Sequence, residues 1–336
     1  MSQEWYRWHS CHLYYHGDGN LLLGRLVHPL MVSLLRKGDV DRFFFVRYEL
    51  GGPHVRLRWR VAPGATGRAD EAVAKAAADF FARWPSAQSL ATDTVERRTQ
   101  QILAADASES DGILYSDNSL RFTPFVPEVD RYGGPGLIGA SLDFFNLSSL
   151  RALGFARAFT GEPRTRQIPW ILRTLAAQAM GFARDEPELA SLLDYAAVPA
   201  GHPLAPFAAR GDQAFKEQPE SFQRLLREAL SEHDRLAEAR HLAAAVGSAT
   251  PDARHRILKS HMHMTANRLG LRNPEETWLG QILRRAAATL PGSCRPAPEE
   301  PLDPGRGLED LLSAAFTTIM APEAPVAAGS HAFTRR

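Results

Sequence analysis

The chain has few cysteines, almost no net charge and no long apolar run, and each absence excludes a class of protein. Its 336 residues include only two cysteines, Cys11 and Cys294, too far apart for a disulfide framework or a Cys-based metal site. The formal net charge of +1 argues against a general nucleic-acid binder, which needs a basic excess. Without a membrane span or the apolar segment of a signal peptide, we expect a cytoplasmic protein.

The composition is that of a large globular protein. Hydrophobic residues make up 44% and charged residues 23% of the chain, and its length allows a sizeable core. Strand signals precede residue 135 and helical signals follow it, which predicts an α+β fold with an antiparallel or mixed sheet packed with helices. We expect one domain over 1–295, strand-rich in 1–135 and helical in 136–295, followed by a partly disordered tail at 296–336.

Local sequence patterns predict where the strands and helices lie. Strands are predicted at 5–16, within 42–60 as a pair joined by a Gly-Gly-Pro turn, and at 119–126. Helices are predicted at 21–36 with an interruption at Pro29, and at 68–83, 90–105, 137–152, 167–183, 187–195, 220–243, 252–269 and 275–289. Residues 196–219 contain Pro and Gly and are predicted to form a loop. Thr250 and Asn273, each followed by Pro, are predicted N-caps.

The strand after the Gly-Gly-Pro turn has two contrasting sets of side chains. Val55, Leu57, Trp59 and Val61 alternate with His54, Arg56, Arg58 and Arg60. Because successive side chains of a strand point to opposite faces, one face is apolar and the other basic. The basic face is either an ordinary solvated surface or a fork for carboxylates, whose geometry suits guanidinium groups.

A turn-rich segment, FVPEVDRYGG at 125–134, places an acid, an arginine and a tyrosine beside two glycines. Glu128 and Arg131 either form a structural ion pair across the turn, or Glu128 orients Arg131 toward a cleft.

The predicted helix at 252–269 brings Ser260, His263 and Asn267 to one face. A histidine there is either a hydrogen-bonded core residue or a general acid or base, since it titrates near neutrality. His261 and His263 point in different directions and make a poor metal pair. The sequence contains no dinucleotide-binding, Walker or nucleophile-elbow motif. We therefore expect neither a metal nor another cofactor.

Three segments together resemble the C-terminal domain of lantibiotic dehydratases, a family that includes stand-alone thiopeptide-biosynthesis proteins. They are FFFVRYELGGPHVRLR at 43–58, PEVDRYGG at 127–134 and the S-x-x-H-M-x-x-N-R pattern at 260–268, and the resemblance covers most of 5–290. Full-length members transfer glutamate from glutamyl-tRNA to Ser or Thr of a precursor peptide, and the C-terminal domain then eliminates it. Since 336 residues leave no room for the glutamylation domain, the resemblance implies a separate protein that performs the elimination.

The resemblance also implies roles for individual residues. The catalytic residues would be Arg56, Arg58, Arg131 and His263. Substrate-binding positions would be His54, Glu128, Tyr132, Ser260, Asn267 and Arg268. The implied partners are the precursor peptide, a glutamyl-tRNA-dependent glutamylation protein and a second copy of the chain, with no direct contact to nucleic acid or membrane.

Two alternatives to elimination stay open. Some stand-alone relatives are pyridine synthases, which join two dehydroalanines in a formal [4+2] cycloaddition and release water and the leader peptide. A non-catalytic subunit could instead bind the leader peptide at a sheet edge.

Overall fold

The computed structural model describes residues 5–65, 68–86, 114–289 and 307–320. The predicted helix at 90–105 and the tail beyond Met320 lie outside these ranges. The chain divides into two compact units, each assembled from two segments of sequence. Unit 1 comprises Met1–Pro127 and Ser149–Gly161, and unit 2 comprises Glu128–Ser148 and Glu162–Arg336.

Unit 1 is built on a four-stranded antiparallel sheet. Its strands are β1 (Trp8–Tyr14), β2 (Val40–Tyr48), β3 (His54–Val61) and β4 (Ser119–Phe122), in the spatial order β2-β3-β1-β4. The strands come first and most of the remaining described residues are helical, which confirms the predicted α+β class.

Helices of unit 1 follow the predicted pattern. They are α1 (Gly19–Leu22), a π-helical turn (Leu23–Val27), α2 (His28–Lys37) and α3 (Arg68–Arg83). At the position where Pro29 was predicted to kink or interrupt the helix, the helix type changes while the backbone stays helical: the π-helical turn ends where α2 begins, and Pro29 occupies the first turn of α2. Proline lacks the N–H that a continuous helix would use at this point.

Helix α4 (Ile138–Ala158) passes through both units. Its second part belongs to unit 1, where the Ser149 hydroxyl accepts a hydrogen bond of 3.2 Å from the backbone N–H of Phe45 in β2. This bond satisfies a backbone donor that an edge strand would otherwise leave unpaired.

Unit 2 is helical in its described residues. Its further helices are α5 (Arg164–Phe182), α6 (Glu186–Leu193), α7 (Ala205–Glu217), α8 (Pro219–Ala229), α9 (His233–Ala245), α10 (Pro251–Arg268), α11 (Asn273–Ala288) and α12 (Leu308–Met320). Five predicted segments correspond to single helices. Helix α12 lies in the predicted tail and had no counterpart among the predicted elements.

Two predictions in unit 2 are wrong. The segment 220–243 forms two helices, because α8 ends in a turn where the Ser231 hydroxyl donates to the carbonyl of Glu228. The predicted loop at 196–219 contains α7, whose proline lies in the first turn and therefore starts the helix. Its Gly211 permits a close approach to α11, since a Cβ there would lie 2.6 Å from the carbonyl oxygen of Trp278.

The predicted N-caps have different outcomes. The Thr250 hydroxyl accepts from the backbone N–H of Ala253 at 3.3 Å, which confirms the start of α10. Asn273 is instead the first residue of α11, and the N-cap is Arg272, whose backbone N–H donates to Glu275. None of the helices in the described ranges is long and apolar enough to cross a membrane.

Candidate functional site

Strand β3 has the two contrasting faces expected from its sequence. Val55, Leu57 and Trp59 are buried, whereas Arg56 and Arg58 are partly exposed. Paired residues of an antiparallel ladder share one side of the sheet. Arg56 pairs with His12 of β1, and His12 pairs on its other side with Arg121 of β4. The basic face, as we call this surface, consists of His12, His54, Arg56, Arg58 and Arg121.

Aromatic rings hold the guanidinium groups of the basic face. The guanidinium carbon of Arg56 lies 3.5 Å from the ring centroid of Tyr48, and that of Arg58 lies 5.3 Å from the ring of Phe44. Such stacking restricts the orientation of a planar cation. Arg60 differs, because its Nε donates to Asp41 at 2.6 Å. An internal carboxylate therefore neutralises Arg60.

The two histidines of the basic face are neutral at pH 7. Burial, opposed by a hydrogen bond to the carbonyl of Gly52 and reinforced by nearby positive charge, lowers the pKa of His54 to about 3. Burial and the charges of three arginines lower the pKa of His12 to about 4. The Nδ1 of His54 lies 2.7 Å from the Gly52 carbonyl and its Nε2 accepts from Arg56 at 3.2 Å, which fixes the tautomer.

A second cluster, in unit 2, centres on the turn that contains Arg131. Gly133 and Gly134 have φ values of 85° and 89°, a conformation that favours glycine. Tyr132 is buried with its ring 5.3 Å from that of His261, so the turn is anchored by its tyrosine. Arg131 remains exposed and pairs with Glu128 at 3.0 Å.

Ser260 and His263 lie on α10 beside this turn. The Nε of Arg131 donates to the Ser260 hydroxyl at 3.5 Å, a long contact that connects the turn to the helix. His263 has its Nδ1 3.0 Å from both carboxylate oxygens of Glu276 on α11. The His263 side chain is 39% exposed and that of Glu276 only 6%, so a buried carboxylate holds a partly exposed imidazole. This geometry orients the ring, with Nδ1 facing the carboxylate.

Glu276 was not among the candidate site residues predicted from the sequence. It belongs to a segment that the sequence explains as a helix start, and its partner is thirteen residues away on another helix. No local spacing pattern signals such a pair.

His261 and Arg268 have surroundings unlike that of His263. His261 is fully buried, with its Nε2 3.0 Å from the Ser141 hydroxyl, and burial lowers its pKa well below the ordinary value. Arg268 is also fully buried, and its guanidinium carbon lies 4.6 Å from the ring centroid of Phe145. The substrate-binding role that the resemblance implies for Arg268 stays a prediction. Asn267 is partly exposed on α10.

The predicted residues therefore divide between the units. His54, Arg56 and Arg58 belong to unit 1, and Glu128, Arg131, Tyr132, Ser260, His263, Asn267 and Arg268 belong to unit 2. In the parts of the chain that the structure describes, no three His, Cys, Asp or Glu side chains form a group able to hold a metal ion.

Solved structures share this fold. TbtD, the pyridine synthase from thiomuracin biosynthesis, has 17% sequence identity and a TM-score of 0.66, with 84% of this chain and 98% of TbtD covered. TsrL has 15% identity and a TM-score of 0.52, with 94% and 99% covered. The tRNA-dependent lantibiotic dehydratase MibB from Microbispora sp. 107891 has 19% identity and a TM-score of 0.55, with 85% of this chain but 28% of MibB covered.

Sequence comparison identifies the family. No curated protein matches the chain. The family profile described as "Lantibiotic biosynthesis dehydratase C-term" matches residues 8–287. Since that match extends over most of its length, the chain belongs to the family of lantibiotic biosynthesis dehydratase C-terminal domains.

Proposed function

We propose that this chain is a lyase that eliminates glutamate from glutamylated Ser or Thr residues of a precursor peptide. The products are glutamate and a peptide that contains dehydroalanine or dehydrobutyrine. The observation that carries the proposal is the basic face, where Arg56 has no carboxylate partner among the described residues. Glutamate that comes from glutamyl-tRNA is esterified through its α-carboxyl group, so the ester keeps a free side-chain carboxylate that such a guanidinium binds.

The reaction needs a base, groups that stabilise the developing negative charge, and a leaving group that departs as an anion. The base removes the Cα proton, the electrons of that bond form the Cα–Cβ double bond, and the Cβ–O bond breaks to release the glutamate carboxylate. Negative charge therefore develops on the peptide carbonyl and on the departing oxygen, where cations lower the barrier.

Each family residue receives a role in this scheme. Arg56 and Arg58 bind the glutamyl group, and Arg131 stabilises the charge that develops during elimination. His263 transfers the proton, for which an imidazole that titrates near neutrality is well suited. Glu276 acts as a positioning residue, because its carboxylate holds Nδ1 and leaves Nε2 as the proton-transferring atom.

A second candidate function is pyridine synthesis from two dehydroalanines with release of water and leader peptide. The observation that favours it is the match to TbtD over 98% of that protein's length, at 17% identity. A cycloaddition depends on positioning two alkenes and does not need a glutamate-binding face. The exposed charge of the basic face is the reason to rank elimination first. A non-catalytic leader-binding subunit is the third candidate.

One experiment separates the three functions. The purified protein is incubated with a synthetic peptide that contains an O-glutamyl serine and, separately, with a leader-bearing peptide that contains two dehydroalanines. Glutamate release from the first supports the lyase. A pyridine and a freed leader from the second would establish the cycloaddition instead, and binding of either peptide without turnover would establish the subunit.

Variants of two histidines on α10 test the proton-transfer role. His263→Ala should abolish dehydroalanine formation and leave the glutamylated peptide intact. His255→Ala is the matched control, since His255 lies on the same helix with its Nε2 3.1 Å from the Ser191 hydroxyl. Normal dehydroalanine formation by His263→Ala would refute the role of His263.

A further inference from the structure

Arg121 is a member of the basic face that no family motif contains. It lies on β4 directly opposite His12 of β1, and His12 lies directly opposite Arg56 of β3. One histidine is therefore flanked on both sides by arginines across three strands. Neighbouring strands are about 4.8 Å apart, so the Cα atoms of Arg56 and Arg121 are separated by about 10 Å. An arginine side chain is long enough to reach one small ligand from either position, and the charges of both arginines act on His12 between them.

The side chain of Arg121 is held like that of Arg56. Its guanidinium carbon lies 4.0 Å from the ring centroid of Tyr115, just as that of Arg56 lies over Tyr48. Among the described residues, neither arginine has a carboxylate partner, whereas Arg60, on the same strand as Arg56, is paired with Asp41. Two stacked arginines that have no carboxylate partner within the described chain are well placed to bind the carboxylate of a ligand.

The groups that surround His12 are cationic or neutral. Arg56, Arg58 and His54 face it from β3, and Arg121 faces it from β4. Its Nδ1 lies 3.4 Å from the hydroxyl of Tyr14 on its own strand. No acidic side chain of the described residues offsets the positive charge at this point, so a bound carboxylate would offset it.

We propose that Arg121 completes, with Arg56 and Arg58, a carboxylate site around His12 that receives the glutamyl group of the peptide. The choice of ligand rests on the proposed function, whereas the site itself rests on the register and the stacked arginines. A carboxylate in this site reduces the positive field at His12. Its binding therefore raises the pKa of His12 from its low value in the free protein.

Calorimetry on the full chain tests the site without any turnover. The probes are glutarate, which has the carbon skeleton and two carboxylates of glutamate, and glutaramide, its neutral diamide. We expect the wild type to bind glutarate and to bind glutaramide at least tenfold more weakly. Arg121→Gln should weaken glutarate binding about 10- to 100-fold, the effect of losing one charged hydrogen-bond donor. Arg36→Gln, on the exposed side of α2, is the matched control and should bind like the wild type.

The titration of His12, followed by NMR, gives a second readout that a purely structural role of Arg121 would not produce. Glutarate should move the midpoint of the His12 titration upward in the wild type. Arg121→Gln should move it upward without ligand, because one of the flanking charges is gone. Equal affinity for glutarate in the wild type and Arg121→Gln, or no binding by the wild type, would overturn the proposal. Arginine-dependent binding in a protein that makes no dehydroalanine would support the site and refute only the lyase function.

Discussion

The imidazole of His263 and the buried carboxylate of Glu276 are joined through Nδ1, at 3.0 Å from both carboxylate oxygens. The bond crosses from α10 to α11, so the packing of two helices sets the orientation of the ring. The partly exposed side chain of His263 is therefore oriented by a contact with a buried residue. This pair is the basis of the first prediction.

Glu276→Gln should slow elimination by roughly tenfold or more while changing KM little, because the ring loses its anionic partner but keeps its place. Because the carboxylate would act through the imidazole that transfers the proton, the substitution should also change how the rate depends on pH. Rates measured between pH 5 and 9 test both effects. Glu275→Gln is the control, since Glu275 pairs with Arg164 instead. An unchanged pH profile in Glu276→Gln would exclude action through His263.

Arg56→Lys should raise KM for the glutamylated peptide about tenfold or more, since lysine keeps the charge but loses the planar, two-pronged donor set. It also loses the stacking on Tyr48 and the bond to His54. Steady-state kinetics with a peptide that contains one O-glutamyl serine measures the change. Arg60→Lys, in which the altered residue still meets Asp41, should leave KM near the wild-type value. Equal KM values for the two variants would count against a binding role for Arg56.

Gly133→Ala and Gly134→Ala should differ in stability although both glycines have positive φ. Each substitution costs roughly 1–2 kcal/mol for the left-handed backbone. A Cβ at Gly133 would also lie 2.7 Å from Leu137 Cδ1 and 2.9 Å from Ile257 Cδ1, whereas none of the described atoms lies within 4 Å of one at Gly134. We therefore expect Gly133→Ala to lose about 1 kcal/mol more, measured by urea unfolding. Equal losses would mean that the turn shifts freely against α10.

The stability of the folded chain should decline as pH falls below about 6.5, in part through His54 and His12. In the unfolded chain both histidines bind protons at the ordinary histidine pKa. In the folded state the pKa is about 3 for His54 and about 4 for His12, so both stay neutral to a much lower pH. The unfolded state thus binds more protons in this window, which lowers the free energy of unfolding. His54→Gln should flatten the decline in urea unfolding between pH 7.5 and 5. A slope equal to that of the wild type would refute the contribution of His54.

The basic strand could be predicted because its evidence is local. Alternation with period two fixes the face of every residue between His54 and Val61 without any tertiary knowledge. Arg121 could not be placed in this way, because its partner His12 is more than one hundred positions earlier and the register depends on the whole sheet. A one-residue shift of β4 would have put Arg121 on the other face.

Local rules also account for the incorrect predictions. The glycine and proline of 196–219 indicated a loop, but Pro206 begins α7 and Gly211 allows α7 to approach α11. The role of Gly211 thus depends on a neighbouring helix, and that of Pro206 on its place in the first turn of its own helix. Glu276 was similarly assigned to a helix start, although its side chain is committed to His263.

The passage of α4 through both units has a consequence for synthesis of the chain. Residues 128–148 leave the ribosome before the remainder of unit 2, whereas unit 1 lacks its last segment until Gly161 has emerged. The first half of α4 can therefore pack only after the later helices of unit 2 have been synthesised. Its second half packs in unit 1, whose sheet has already been synthesised. For the same reason, no single cut in the backbone separates the two units, and any cut leaves at least one of them divided between the two pieces.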